Sequence, residues 1–175
     1  TNHWAKDDIT YLQTQNVIID EGENFYPNTD ITRAQFAAYV VRALGIANDS
    51  TVNNPYTDVE KSHSLYLEIL AAYKSGIVQG VSATTFAPDA KITRQEMAVM
   101  FMRALSYANK APSMDYGVLD NFTDKGQIAS WAKDGATIAV NASLIGGTDG
   151  NRFAPLANAT KGEAAAMLAR LCRQL

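Results

Sequence analysis

The sequence is poor in the residues that build reactive or metal-bound centres. Cys172 is the only cysteine among 175 residues, which excludes an internal disulfide framework and a cysteine-based zinc cluster. It lies on the apolar side of the last helical pattern, where burial rather than reactivity is expected. His3 and His63 are the only histidines, and neither has a Cys, His or carboxylate partner at metal-ligand spacing. No metal site is expected. No apolar run approaches the roughly 18 residues of a membrane span, so membrane insertion is not expected. No signal-peptide pattern is visible, although the chain opens abruptly at Thr1. The net charge of −3 lacks the basic excess that nucleic acid selects. There is no nucleophile elbow and no recurring carboxylate pair for acid–base work, so the chain is not expected to be an enzyme. "GGTDGN" at Gly146–Asn151 lacks the Lys of a phosphate loop and the spaced carboxylates of a calcium loop. It reads as a tight Asp-Gly turn, and no cofactor is expected.

What remains is ordinary globular material, 47% hydrophobic and 19% charged, long enough to bury roughly 70% of its extended surface. Its organisation is repetitive. Phe-x-Pro triplets begin at 25, 86 and 153, which are 61 and 67 residues apart. Five residues after each Pro stands Thr32, Thr93 or Thr160, and fifteen after each Pro stands Arg42, Arg103 or Arg170. Constant spacing within copies and variable spacing between them describe one unit joined by adjustable linkers. Each Thr precedes a Gln or Glu by three residues, ahead of an Ala-rich apolar run, which is a capping-box signature for a helix start. Upstream of each triplet, residues such as Ile9 and Leu12, Ile69 and Ala72, or Ala136 and Ala139 fit one face of a short helix. Gly76 supplies a helix stop in the middle copy. The turns "DEGEN", "QGVSAT" and "GGTDGN" follow, rich in residues that tolerate positive φ. Each copy therefore reads as helix, loop, extended Phe-x-Pro, capped helix. A helix pair of this size cannot bury its face alone, so the copies should pack on one another. The long polar linkers suit closure around an axis better than a stacked solenoid.

The capping boxes place Arg33, Arg94 and Lys161 in the first helical turn, the end where the macrodipole is already positive. One such cation could be a solvated residue carrying a penalty of about 0.3–1 kcal/mol. Recurrence at one structural position points instead to an anion site, with helix-start N–H groups and an adjacent guanidinium gripping a carboxylate. Trp4 and Trp131 occupy equivalent places, with Ser64 in the middle copy. They are either anchors of the first helix or platforms for a sugar ring. Arg42, Arg103 and Arg170 complement the dipole at helix ends, while Asp58 and Asp124 read as caps or turn formers.

The opening of the first helix, the glycine loop, the Phe-x-Pro and the motifs "ITRAQF" and "ITRQEM" together resemble the S-layer homology repeat, and the chain resembles a complete set of three. "YTD" at 56–58 and "FTD" at 122–124 match the opening of such a repeat, which copy one lacks. The resemblance implies an all-α fold, three helix-loop-helix repeats (1–47, 56–109 and 122–175) in a pseudo-threefold trefoil around a central three-helix bundle. It implies a secreted module on the bacterial cell surface that anchors a protein non-covalently to the wall. The implied ligand is a secondary cell-wall polymer carrying pyruvate ketals on N-acetylmannosamine. Other S-layer subunits are implied as partners through the rest of a full-length protein. On this reading Arg33, Arg94 and Lys161 receive the ketal carboxylate, Trp4 and Trp131 flank the sugar, and Gln79, Gly80, Gly146 and Gly147 line the loops. The third copy departs, with Lys161-Gly162 in place of Arg-Ala, so its groove is expected to be weak or altered: Lys lacks the planar fork of Arg. The rival expectation is a protein-interaction or self-assembly scaffold, whose signature would be an exposed apolar patch with buried first-turn cations.

Overall fold

A computed structural model describes residues 2–19 and 24–175. Its α-helices are α1 (Lys6–Thr14), α2 (Arg33–Ala43), α3 (Tyr66–Lys74), α4 (Arg94–Tyr107), α5 (Lys133–Asn141) and α6 (Lys161–Cys172). Short 3-10 turns cover Tyr116–Asn121, Lys125–Gln127 and Ser130–Ala132. The described residues form no β-sheet, only isolated bridges, so the all-helical class expected from the repeats is the observed one. The "DEGEN" turn falls largely on residues 20–23, outside the described residues.

The second helix of every repeat starts on a complete capping box. Thr32, Thr93 and Thr160 accept from the N–H of Gln35, Glu96 and Glu163 at 3.1, 3.4 and 3.1 Å. The same Gln and Glu side chains accept in return from the Thr N–H groups. The first helices start differently. His3 and His63 accept through Nδ1 from the N–H two residues later, at 3.1 and 3.0 Å. Their Nε2 atoms lie 3.0 and 3.2 Å from Asn28 and Asp89, just past the Phe-x-Pro of the same repeat. The histidines are thus structural braces. After the first helices the chain turns through left-handed residues Asn16, Gly76 and Ser143, with φ of 56°, 74° and 58°. Glycine serves there only once; Asn and Ser do the same work elsewhere.

The repeats are tied head to tail. The first two N–H groups of α2, from Arg33 and Ala34, donate to the carbonyls of Ala90 and Pro88 in the second repeat, at 2.9 and 3.0 Å. Arg94 and Gln95 donate to Ala157 and Pro155 in the third, at 2.9 and 3.0 Å. Lys161 and Gly162 donate to Thr29 and Pro27 in the first, at 2.7 and 2.8 Å. Bridges Thr32–Lys91, Thr93–Asn158 and Asp30–Thr160 pair the extended segments in the same cyclic order. Each first helix lies on the second helix of the preceding repeat: α3 on α2, α5 on α4, α1 on α6. The second helices form the interior, where Ala37, Ala98 and Ala165 are fully buried and Phe36 meets Phe101 edge-on at 5.2 Å. The chain approaches α4 closely at Gly135 of α5. A Cβ there would come within 2.8 Å of the Val99 backbone, so only glycine lets α5 sit that close to α4.

Candidate functional site

The three first-turn cations are neither solvated nor presented at bare helix ends. Arg33, Arg94 and Lys161 each retain 5% exposure. Each reaches beneath the Phe-x-Pro of the next repeat. Arg33 Nε donates to the Phe86 carbonyl at 2.9 Å, and Arg94 Nε to that of Phe153 at 2.8 Å. The guanidinium carbons lie 5.1 and 5.8 Å from the centroids of the same phenyl rings, and Lys161 Nζ lies 4.5 Å from that of Phe25. This is how the chain tolerates a cation at the positive end of a dipole: a ring face receives each one, and a carbonyl accepts from each arginine. It also corrects one expectation. The first two N–H groups of these helices are bonded to carbonyls and the third to the capping Thr, so anion recognition here cannot draw on them.

The Phe-x-Pro segments that receive the cations are themselves held in an uncommon conformation. Their central residues Tyr26, Ala87 and Ala154 have φ of 52°, 57° and 53°, a region that costs a residue with a Cβ about 1–2 kcal/mol. Asp58 holds the second of them by accepting from Phe86 N–H at 2.9 Å and Ala87 N–H at 2.7 Å. Asp124 grips the Phe153 and Ala154 N–H groups at 2.7 and 2.8 Å. Desolvation pushes the Asp58 carboxyl upward, but these donors outweigh it and leave the group below the ordinary carboxylate range. The turn-forming role expected of both aspartates is real, and it acts on a segment almost thirty residues downstream.

Arg33 opens onto a cavity of about 530 Å³. Four expected site residues line it together: Arg33 from the first repeat, Gln79 and Gly80 from the loop of the second, and Trp131 from the third. Trp131 is 60% exposed and Trp4 is 67% exposed, so neither is a core anchor. Gly80 is required by space. A Cβ there would stand 2.2 Å from the Ser82 carbonyl oxygen and 2.4 Å from that of Thr85. Arg94 makes the corresponding reach to the third repeat's loop, donating through Nη2 to the Gly146 carbonyl at 2.8 Å. Burial lowers its pKa, against the opposing fields of Glu163 and Asp124. Gly147 is packed on Phe122, 3.3 Å from where its Cβ would be. The loop corresponding to Lys161 lies among the undescribed residues 20–23.

The remaining wall comes from Val81 of the second repeat's loop and from one face of α4: Glu96, Val99, Met100 and Arg103. These were not among the expected site residues. In α4 the offsets of three, four and seven residues from Glu96 are the signal that could have found Val99, Met100 and Arg103, because they place all four on the face that carries the capping Glu. Glu96 is ion-paired to Arg33 through Oε2 and Nη1. Arg103 donates to the Ile77 carbonyl at 3.5 Å, as Arg42 and Arg170 donate to Val17 and Leu144 at 3.3 and 3.2 Å. The structural role expected of these three arginines therefore holds, and Arg103 serves the cavity as well. Tyr56 packs behind Gly80 against Phe86 and Tyr73, and its hydroxyl is buried with no hydrogen-bond partner among the described residues. "GGTDGN" is a tight turn as expected, closed by Thr148 N–H donating to the Arg152 carbonyl at 2.8 Å. Cys172 is half-buried, and burial raises its thiol pKa.

The family profile described as the S-layer homology domain matches residues 1–37, 55–98 and 121–165. The chain belongs to the S-layer homology family. As a set of S-layer homology repeats it is a cell-surface, cell-wall-associated module. The module is 34% identical over 168 residues to an amylopullulanase of Thermoanaerobacterium thermosulfurigenes, covering 95% of this chain and 9% of that protein. It is 33% identical over 168 residues to the exoglucanase XynX of Acetivibrio thermocellus, covering 95% and 15%. A surface-layer 125 kDa protein of Lysinibacillus sphaericus is 34% identical over 149 residues, covering 85% and 12%. The module thus spans under a fifth of the length of these relatives. Two of them are named as enzymes and one as a surface-layer protein, and all share the same type of module. Among the described residues no helix is long and apolar enough to cross a membrane, and no cluster of His, Cys, Asp or Glu could hold a metal.

Proposed function

We propose that the module anchors a larger secreted protein to the wall by binding a pyruvylated secondary polymer in grooves between its repeats, taken as 1–47, 56–109 and 122–175. The terminal ketal-pyruvate N-acetylmannosamine is the recognised unit. The observation that carries this reading is the cavity at Arg33, where a guanidinium, a glycine loop and an exposed indole from three different repeats converge. A carboxylate fits the guanidinium, a pyranose face fits the indole, and Gln79 supplies a polar group for ring hydroxyls. Arg94, Gly146, Gly147 and Trp4 would form a second groove of the same kind, and Lys161 the cation of a third, altered one. The segment itself is assigned no catalytic role and no cofactor. Binding to purified wall polymer, measured before and after removal of the ketal, tests the reading. Loss of binding on removal is expected; equal binding by both preparations overturns it.

A second reading, a protein-interaction scaffold for a partner or for other S-layer subunits, draws on one observation: the burial of all three cations. On that reading the cations are structural bolts and the exposed Trp4 and Trp131 meet protein. Arg33→Ala would then destabilise the fold without a specific effect on polymer binding.

A further inference from the structure

We propose that Glu96 is a built-in competitor for the anion taken by the cavity at Arg33, so that its charge sets the affinity there. This rests on the reading that Arg33 receives a carboxylate. The two oxygens of Glu96 have different tasks. Oε1 completes the α4 cap, accepting from the Thr93 hydroxyl at 2.8 Å and from its N–H at 3.4 Å. Oε2 is ion-paired to Nη1 of Arg33, whose Nε is committed to the Phe86 carbonyl. The Glu96 side chain keeps 23% exposure and lines the cavity, so an arriving ligand meets this pair directly.

A ligand carboxylate has two options. It can displace Oε2 from the guanidinium, or share the guanidinium beside a like charge, which is unfavourable in a partly buried site. Either way Glu96 opposes binding. The charged groups around the cavity are Arg33, Glu96 and Arg103, so neutralising Glu96 leaves two cations facing the ligand. The protein itself shows that the charge is dispensable for the helix start. In α2 the equivalent residue is Gln35, and its capping box is complete at 3.1 and 3.0 Å. Glu96 thus serves the cap by its shape and the cavity by its charge.

The test is Glu96→Gln. Because the chain holds two tryptophans, a Trp4→Phe background leaves Trp131 as a fluorescent reporter on the wall of this cavity. Titrations would use a short polymer fragment ending in ketal-pyruvate N-acetylmannosamine, and the same fragment without its ketal. Glu96→Gln is expected to tighten binding of the pyruvylated fragment about 3- to 10-fold. That gain should vanish when Arg33→Ala is added, since neighbouring residues couple in a double-mutant cycle. Urea denaturation should show that Glu96→Gln retains the cap. Equal or weaker binding by a folded Glu96→Gln variant, while Arg33→Ala still weakens it, overturns the competitor and makes Glu96 a positioning residue for Arg33. No effect of Arg33→Ala, or equal affinity for the two fragments, overturns the carboxylate reading and the competitor with it.

Discussion

At the scale of single residues, the module separates positions where chemistry is fixed by space from positions where it is fixed by charge. Gly80 belongs to the first kind. Gly80→Ala forces a methyl into two backbone carbonyls, and a loss of about 1–3 kcal/mol is expected in urea denaturation. Gly146→Ala meets nothing within 4 Å and should stay within about 0.5 kcal/mol of the parent. Asp58 belongs to the second kind. Its folded pKa is depressed by the Phe86 and Ala87 donors acting against desolvation. Its stabilising contribution is therefore complete above the unfolded carboxylate pKa of about 3.9 and is lost as pH falls through the lower folded value. Melting-temperature differences between the parent and Asp58→Asn should be steady near neutrality and shrink below about pH 4. Asp58 was legible in the sequence as a turn former, but its turn was not, because the donors lie 28 and 29 residues away. A contact of that range leaves no local spacing to read.

At the scale of elements, the capped helices were the most legible part of the chain. A capping box is a four-residue device, and its Thr, Gln and Glu must be written together, so Thr32, Thr93 and Thr160 announce α2, α4 and α6 before any tertiary contact is known. Thr93→Ala should cost about 1 kcal/mol, at most about 2, with Thr93→Ser close to the parent; equilibrium unfolding measures both. The first helices were less legible at their starts. The residue that braces α1 and α3 is a histidine ring nitrogen, whose partners across the Phe-x-Pro become neighbours only after folding. The cations of the capped helices were singled out in the sequence, but the helix-start N–H groups expected to act beside them are already bonded. Recurrence at a position hostile to positive charge marked them as special. What sequence could not reveal is that the neighbouring repeat takes the helix-start N–H groups, since that depends on how three copies close. Glu96 was hidden by its own legibility: once explained as a cap, it gave no sign of a second role.

At the scale of the whole molecule, the ties run from first repeat to second, second to third and third to first. The last is reinforced by Arg173 and Asp8 at 3.0 Å across 165 residues of chain. In open repeat arrays each repeat contacts only its neighbours in sequence, whereas here the third repeat is also tied to the first. Trp4 in the first repeat and Trp131 in the third make the difference measurable. Single-tryptophan variants Trp4→Phe and Trp131→Phe, unfolded in urea and followed by fluorescence, should report coincident midpoints; separated midpoints would mean that the repeats melt independently. The cavity at Arg33 carries the same geometry into inheritance. Its cation, its loop and its indole are encoded in three different copies of the unit, so duplicating or exchanging one copy rewrites parts of several grooves at once and completes none. The unit that is copied in the gene is not the unit that could bind, and the smallest heritable version of that cavity is the entire ring.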